Sequence, residues 1–213
     1  IRHVVDSGVA RVARYDAERG IGTLQLEPIS RASADQRKGR AGRTATGTCH
    51  RLWTEGSHLG RDERNTPEIQ RSDLAEVVLL LHSLGIQKAV TFDWLDKPDP
   101  QGIERAERLL TMLGALLDAD LTEIGRQMLR LPMHPRYSRM LIEASKRDCV
   151  PDAALCAALV SGRDLLTRLG RDDSKSQNTR EIFEDSDDSD FITLMRAFDF
   201  AKSNRFSFGR CRS

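Results

Sequence analysis

The chain has 213 residues, of which 39% are hydrophobic and 31% charged, and its formal net charge is +1. This is the composition of a soluble globular protein, long enough for one large domain or two to three small ones. No apolar run approaches a membrane span and no secretory leader is evident, so a membrane-embedded class is excluded and a cytoplasmic location is expected.

The balanced net charge hides an asymmetry. Basic residues gather between Arg31 and Arg51, and acidic ones between Asp172 and Asp190. The pattern suggests a phosphate-facing half and a separate solvated acidic segment. The cysteines, Cys49, Cys149, Cys156 and Cys211, form no CxxC pair. Free thiols and no metal site are therefore expected. The first residue is Ile1 rather than methionine, which suggests a piece of a longer polypeptide.

In chain order, residues 3–29 read as extended. Val4 and Val5 suit a strand, as does the alternation from Val9 to Tyr15 and again from Thr23 to Ile29. With Asp16 to Gly20 as a turn, these residues predict a β-hairpin with a charged tip. Thr66-Pro67 reads as a helix cap followed by proline at the first helical position. Ser72 and Asp73 open a second helix, with Leu74, Val77, Val78, Leu81 and Leu84 on one face and Gly85 as its stop. Ile103, Ala106, Leu109, Leu110 and Leu113 form another apolar face that closes at Gly114. Two helices and short extended pieces suit a winged-helix unit. Thr122 caps a helix to Leu129, Arg136 to Lys146 forms the next, and Pro151-Asp152 starts one through Val160. Residues 171–189 are polar enough to predict a loop, after which Asp190 caps a last helix.

The octapeptide Gln36 to Arg43, QRKGRAGR, carries the clearest chemistry. Arg40 and Arg43 lie three positions apart beside Gly39 and Gly42. Arginine presents a planar, always-charged fork that matches phosphate oxygens in pairs. Glycine lets backbone approach a ligand. If the stretch opens a helix, both guanidiniums share a face and the helix N-terminus adds positive charge. That design stabilises charge on a transferring phosphoryl group. The same residues also fit a solvated basic face or a non-specific nucleic-acid patch, and on their own they leave both readings open.

The flanks extend the pattern. The run ISRASADQRKGRAGRTATGTCHRLW (Ile29 to Trp53) resembles motif VI of the DEAH-box RNA helicases. Further matches to that family lie at VVDSG (Val4 to Gly8), TPEIQRSDLAEVVLLLHSLGI (Thr66 to Ile86) and LTEIGRQMLRLPMHPRYSRML (Leu121 to Leu141), in the family's order. The chain thus resembles the C-terminal part of bacterial ATP-dependent RNA helicases of the HrpA/HrpB kind.

The resemblance implies an α+β, mostly α, fold in three parts. Residues 1–60 would be the end of a second RecA-like lobe, 61–118 a degenerate winged helix, and 119–213 a truncated helical ratchet domain. It also implies the site. Arg40 and Arg43 would be catalytic at the γ-phosphate, and Gln36 and Gly39 would stand with them in the ATP-facing wall. Arg37 and Lys38 are left as interdomain pairs or solvated charges, and Gly39 and Gly42 as packing and approach residues. Arg11, Arg14 and Arg19 on the hairpin, with Ser161 and Arg163 after a ratchet helix, would contact nucleic acid. His134 is read as a packed structural histidine.

The expected cofactors are ATP and Mg2+, both held mainly by the missing upstream region, because the sequence contains no G-x-x-x-x-G-K-[ST] loop. The expected partners are single-stranded RNA and upstream RecA-like lobes of the same polypeptide, with no membrane and a monomeric state. The chain alone is expected to be inactive. A non-catalytic nucleic-acid-binding or adaptor module with a winged-helix core is the alternative. Against relatives, the turn Leu117 to Leu121 is shorter, which puts the local turn rather than the domain in question.

Overall fold

The computed structural model describes residues 1–16, 20–161, 183, 189–207 and 209. They fall into two compact units, Ile1–Arg126 and Gln127–Ser213.

In the first unit, strand β1 (His3–Asp6) pairs in parallel with β4 (Thr48–Arg51), with His3 opposite Thr48 and Asp6 opposite Arg51. Val4 and Val5 therefore belong to a long-range parallel pair and not to the hairpin. The hairpin is β2 (Val9–Asp16) with β3 (Ile21–Pro28), antiparallel from Val9 opposite Pro28 to Asp16 opposite Ile21. Gly8, at φ +75°, turns the chain between β1 and β2, and a Cβ there would lie 2.6 Å from both Trp53 Cε3 and Arg61 Nη2. Only glycine meets both demands.

Helix α1 (Arg31–Gly39) follows the hairpin and runs on into a 3-10 turn, Arg40–Gly42. A short helix α2 (Glu55–Leu59) is capped by Thr54, whose side chain accepts from the Ser57 amide. Next come a 3-10 turn at Glu68–Gln70, helix α3 (Ala75–Ser83), a 3-10 turn at Ala89–Thr91, and helix α4 (Pro100–Met112). Asp99 caps α4 by accepting from the Gln101 amide at 3.2 Å, and Pro100 occupies its first turn. Ile103, Ala106 and Leu110 bury the inner face of α4, as Val78, Leu79 and Leu81 do for α3. Burying a leucine as fully as Leu110 contributes about 1.5–3 kcal/mol.

Strands β5 (Leu116–Leu117) and β6 (Asp120–Leu121) form a two-residue hairpin. Its central residues, Asp118 and Ala119, both have positive φ, 48° and 68°. That is the backbone a tight, strand-matching hairpin turn requires, here without glycine. The short turn noticed in the sequence is therefore a strained hairpin tip, held where His82 Nδ1 donates to the Ala119 carbonyl at 2.9 Å.

Helix α5 (Glu123–Leu129) begins after Thr122, whose Oγ1 accepts from the Gly125 amide at 3.0 Å. In the second unit, α6 (Pro135–Ser145) is capped by His134, whose Nδ1 accepts from the Arg136 amide at 3.2 Å. This agrees with a structural role for that histidine. Helices α7 (Val150–Ser161) and α8 (Asp190–Ser203) meet where Cys156 Sγ lies 3.7 Å from Met195 Sδ.

Four local expectations are corrected. Thr66-Pro67 opens only a 3-10 turn, because the chain turns again at Arg71 before a helix can be nucleated. Leu84 is the C-cap of α3 and is exposed, so it lies off the buried face. The cap of α8 is Ser189, whose hydroxyl accepts from the Phe191 amide, and not Asp190. The fourth concerns the octapeptide and is described with the site. The mixed, mainly helical α+β class stands. No helix among the described residues is long and apolar enough to cross a membrane.

Candidate functional site

Helix α1 begins well before the octapeptide. Ser30 sits in extended backbone, and its Oγ accepts from the Ser33 amide at 3.1 Å. The helix is already running when it reaches Gln36. Gln36 to Gly39 form its last turn, and the Arg40 amide donates to the carbonyls of Arg37 and Lys38. The expectation that QRKGRAGR opens a helix is therefore corrected: it closes one. The dipole here presents its negative end, which favours the cations Arg37 and Lys38 but offers no N–H cradle to an anion. Any anion binding at this place rests on side chains.

The same-face expectation survives by another route. Arg40 to Gly42 are 3-10 helical and Arg43 keeps right-handed helical backbone. At 3.0 residues per turn, positions three apart eclipse, so Arg40 and Arg43 leave the backbone in line. Between them Ala41 is buried, while Arg40 and Arg43 are exposed. Neither arginine has a side-chain hydrogen bond or ion pair among the described residues.

Gly39 and Gly42 have open space where a Cβ would stand. An added Cβ at either would meet nothing within 4 Å, so no close packing there demands glycine, while the open space suits the expected approach role. The glycine that packs is Gly47, where a Cβ would lie 2.1 Å from the Ala41 carbonyl oxygen and 2.6 Å from that of Arg2. The loop after Arg43 thus folds back onto the turn that carries the arginines.

Arg37 has a different environment from its neighbours. Its Nη1 donates to Asp6 Oδ1 at 2.8 Å and to the Val9 carbonyl at 3.3 Å. Asp6 has a fully buried side chain, and its Oδ1 also accepts from the Gly8 amide at 2.9 Å. Asp35, one turn from the arginines, accepts from Arg51 Nη2 at 2.6 Å. The Arg51 hydrogen bond holds the Asp35 carboxyl below its usual range. Arg61 lies 4.5 Å from the Trp53 ring centroid and donates to the Gly8 and Ile29 carbonyls at 2.7 and 2.8 Å. These ties hold α1, β1 and the root of the hairpin together. Sequence reasoning missed Asp6, Arg61 and Gly47. The VVDSG motif held the one available signal, an acid at a strand end followed by a glycine turn.

On the hairpin, Arg11 is exposed. Arg14 is paired across the strands with Glu27 and donates to its Oε2 at 2.9 Å. Hydrogen bonding from Arg14 holds the Glu27 carboxyl below its usual range. Arg71 clamps the β2 strand from outside, its Nη1 donating to the Ala13 carbonyl at 2.7 Å. Ser161 is exposed at the end of α7. Arg19 and Arg163 lie outside the described residues. Gln36, Gly39, Arg40 and Arg43 are brought together on one helical run. Arg11 and Arg14 lie on a separate element of the same unit, and Ser161 belongs to the other unit. No group of three or more metal-ligating side chains is found among the described residues.

Comparison with known proteins gives the setting. The helicase-associated domain (HA2), winged-helix, matches residues 106–133. The helicase-associated domain (HA2), ratchet-like, matches residues 134–194. The chain is 37% identical over 206 residues to ATP-dependent RNA helicase HrpA of Escherichia coli, covering 94% of this chain and 16% of that protein. It is 35% identical to ATP-dependent RNA helicase DHX33 of Mus musculus, over 93% of this chain and 29% of that protein. Among solved structures, the Escherichia coli DEAH/RHA helicase HrpB superposes with a TM-score of 0.71 at 36% identity, covering 80% of this chain and 21% of that one. The chain therefore spans less than a third of these proteins' own lengths.

Proposed function

We propose, for a chain that carries the winged-helix and ratchet-like helicase-associated domains and is homologous to the HrpA/HrpB helicases over most of its length, that it serves an ATP-dependent RNA helicase. In that role Arg40 and Arg43 form the arginine-finger wall of an ATP site whose other wall lies elsewhere in the polypeptide. Residues 1–60 end a RecA-like lobe, 61–118 form the winged helix, and 119–213 begin the ratchet.

The observation that carries the reading is the arginine pair itself. Two arginines lie three residues apart on a 3-10 turn, exposed and without side-chain partners among the described residues. A cation already paired to a carboxylate would have to break that pair to reach a phosphate, and these need not. In phosphoryl transfer negative charge spreads over the γ-phosphoryl oxygens, and planar arginine forks match them. Gln36, on the last turn of α1, would orient phosphate or the attacking water, and open space at Gly39 is compatible with that.

Mg2+ would neutralise charge on the phosphates, and its carboxylate ligands are proposed to come from the rest of the polypeptide, because the sequence holds no Asp-Glu-Ala-His stretch. The hairpin strands, with Arg11 and with Arg14 once it leaves Glu27, and Ser161 at the end of α7 are the proposed RNA contacts, together with Arg19 and Arg163, which lie outside the described residues. Their grip would be phosphate-dominated, sequence-tolerant and salt-sensitive. The chain works as a monomer in this reading and does not turn over ATP alone.

The test is RNA-stimulated ATP hydrolysis by this chain alone and after mixing with the rest of the polypeptide expressed separately. Silence alone and activity on mixing is the expected result. Activity from the chain alone would contradict it, because the sequence holds no phosphate-cradling loop.

A further inference from the structure

Asp6 lies outside the arginine segment, yet the segment is tied to it. Its carboxylate is fully buried. Oδ1 accepts from Arg37 Nη1 at 2.8 Å and from the Gly8 amide at 2.9 Å, while Oδ2 is buried with no partner among the described residues. The Asp6 carbonyl accepts from the Leu52 amide at 2.9 Å, just past the end of β4. One residue thus touches the parallel strand pair, the entrance to the hairpin and α1.

A buried carboxylate is costly unless it is paired and hydrogen-bonded. The bond to Arg37 is the charge-compensating one, so the fold holds Arg37 inward. Arg37 in turn lies directly below the candidate pair, because the Arg40 amide donates to the Arg37 carbonyl. The backbone turn that carries Arg40 is therefore linked by hydrogen bonds through Arg37 to Asp6.

We propose that Asp6 is a positioning residue for phosphoryl transfer. It acts through Arg37 on Arg40 and touches no substrate itself. The inference rests on the reading of Arg40 as a γ-phosphate arginine. A displacement on the order of 1 Å in a group that stabilises the transition state costs about a hundredfold in rate. A uniform loss of folded enzyme would leave the interaction between sites unchanged.

The experiment is a double-mutant cycle in the intact helicase polypeptide. Asp6→Asn, Arg40→Ala and the double variant are compared in RNA-stimulated ATP hydrolysis, with thermal melting to verify folding. Asp6→Asn is expected to lower kcat about tenfold to a hundredfold, with KM for ATP changed less than about threefold. In the Arg40→Ala background the same change should cost less than about twofold, because both residues then act through one lost contact.

An unchanged kcat in folded Asp6→Asn would overturn the proposal. So would a full multiplicative loss on top of Arg40→Ala, which is the mark of a separate structural effect. If Asp6→Asn does not fold, Arg37→Lys replaces it in the cycle under the same criteria, and Asp6→Glu should restore part of the rate. Should Arg40→Ala alone leave kcat intact, the arginine-finger reading fails first, and it does so independently of Asp6.

Discussion

Two cation clusters in this molecule handle charge in opposite ways. On α6 and just beyond, Arg139, Lys146 and Arg147 all close on Glu143, within 3.1 to 3.7 Å. Between Arg37 and Arg43, one arginine is drawn inward to a buried aspartate, and the two after it are left exposed and in line. The α6 cluster is more crowded, and yet it is the weaker candidate for a phosphate. Each of its cations is already engaged with one carboxylate, Glu143, as i, i+3 and i, i+4 pairs usually are. In the proposed reading, what marks a phosphate-facing arginine is the absence of a competing carboxylate, not the density of positive residues.

That contrast can be broken by substitution, and the largest effect falls on the free pair. Arg40→Ala or Arg43→Ala in the intact helicase should lower ATP turnover on the order of a thousandfold or more. Arg139→Ala should leave turnover within about twofold, as a partly exposed i, i+4 pair outside the octapeptide contributes little. Steady-state hydrolysis assays compare the two directly.

Arg37→Ala comes next, and it is read as stability. It strands the Asp6 carboxylate, and a loss of about 2–4 kcal/mol is expected in denaturant unfolding, allowing for the third of Arg37 that remains exposed. Gly47→Ala should cost about 1–3 kcal/mol, because its Cβ would meet backbone and not a movable side chain. Glu143→Gln should lower the melting temperature only slightly while freeing the α6 cations. If it also strengthened RNA binding at low salt, compensation would be confirmed as what sets the two clusters apart.

Acid titration gives the smallest effect. Glu27, Asp35 and Glu143 are held below the usual carboxylate range by hydrogen bonds from Arg14, from Arg51, and from Arg139 with Arg147. A carboxylate with a depressed folded-state pKa adds stability above its unfolded value of about 4. That stability is lost as the pH falls through the folded value. Carboxyl carbon shifts followed by NMR should show the three midpoints below those of unpaired glutamates and aspartates.

How much of this was legible in the sequence depended on range. The β2–β3 hairpin was readable because alternation and a turn are local signals. The start of α5 was readable from Thr122, and that of α6 to within one residue at Arg136, since caps and breakers act within a few residues. The β1–β4 pair was not readable, because parallel pairing joins His3 to Thr48 across a hairpin and a helix. The octapeptide stood out for its residue types and was misplaced in its helix. The true cap, Ser30, sat in the flank, six residues before Gln36. Arg37 could not be sorted from Arg40 and Arg43 by spacing, as its distinction lies in a carboxylate far away in sequence.

The most direct test of the central claim, that Arg40 and Arg43 act on the phosphoryl group being transferred, separates ground-state from transition-state affinity. Binding of ADP and of ADP with a planar phosphoryl mimic such as aluminium fluoride is measured in the intact helicase and in Arg40→Ala and Arg43→Ala variants. Near-normal ADP affinity with a hundredfold or greater loss for the mimic is the expected result. Equal losses for both ligands, or none for either, would contradict a role in transition-state charge stabilisation.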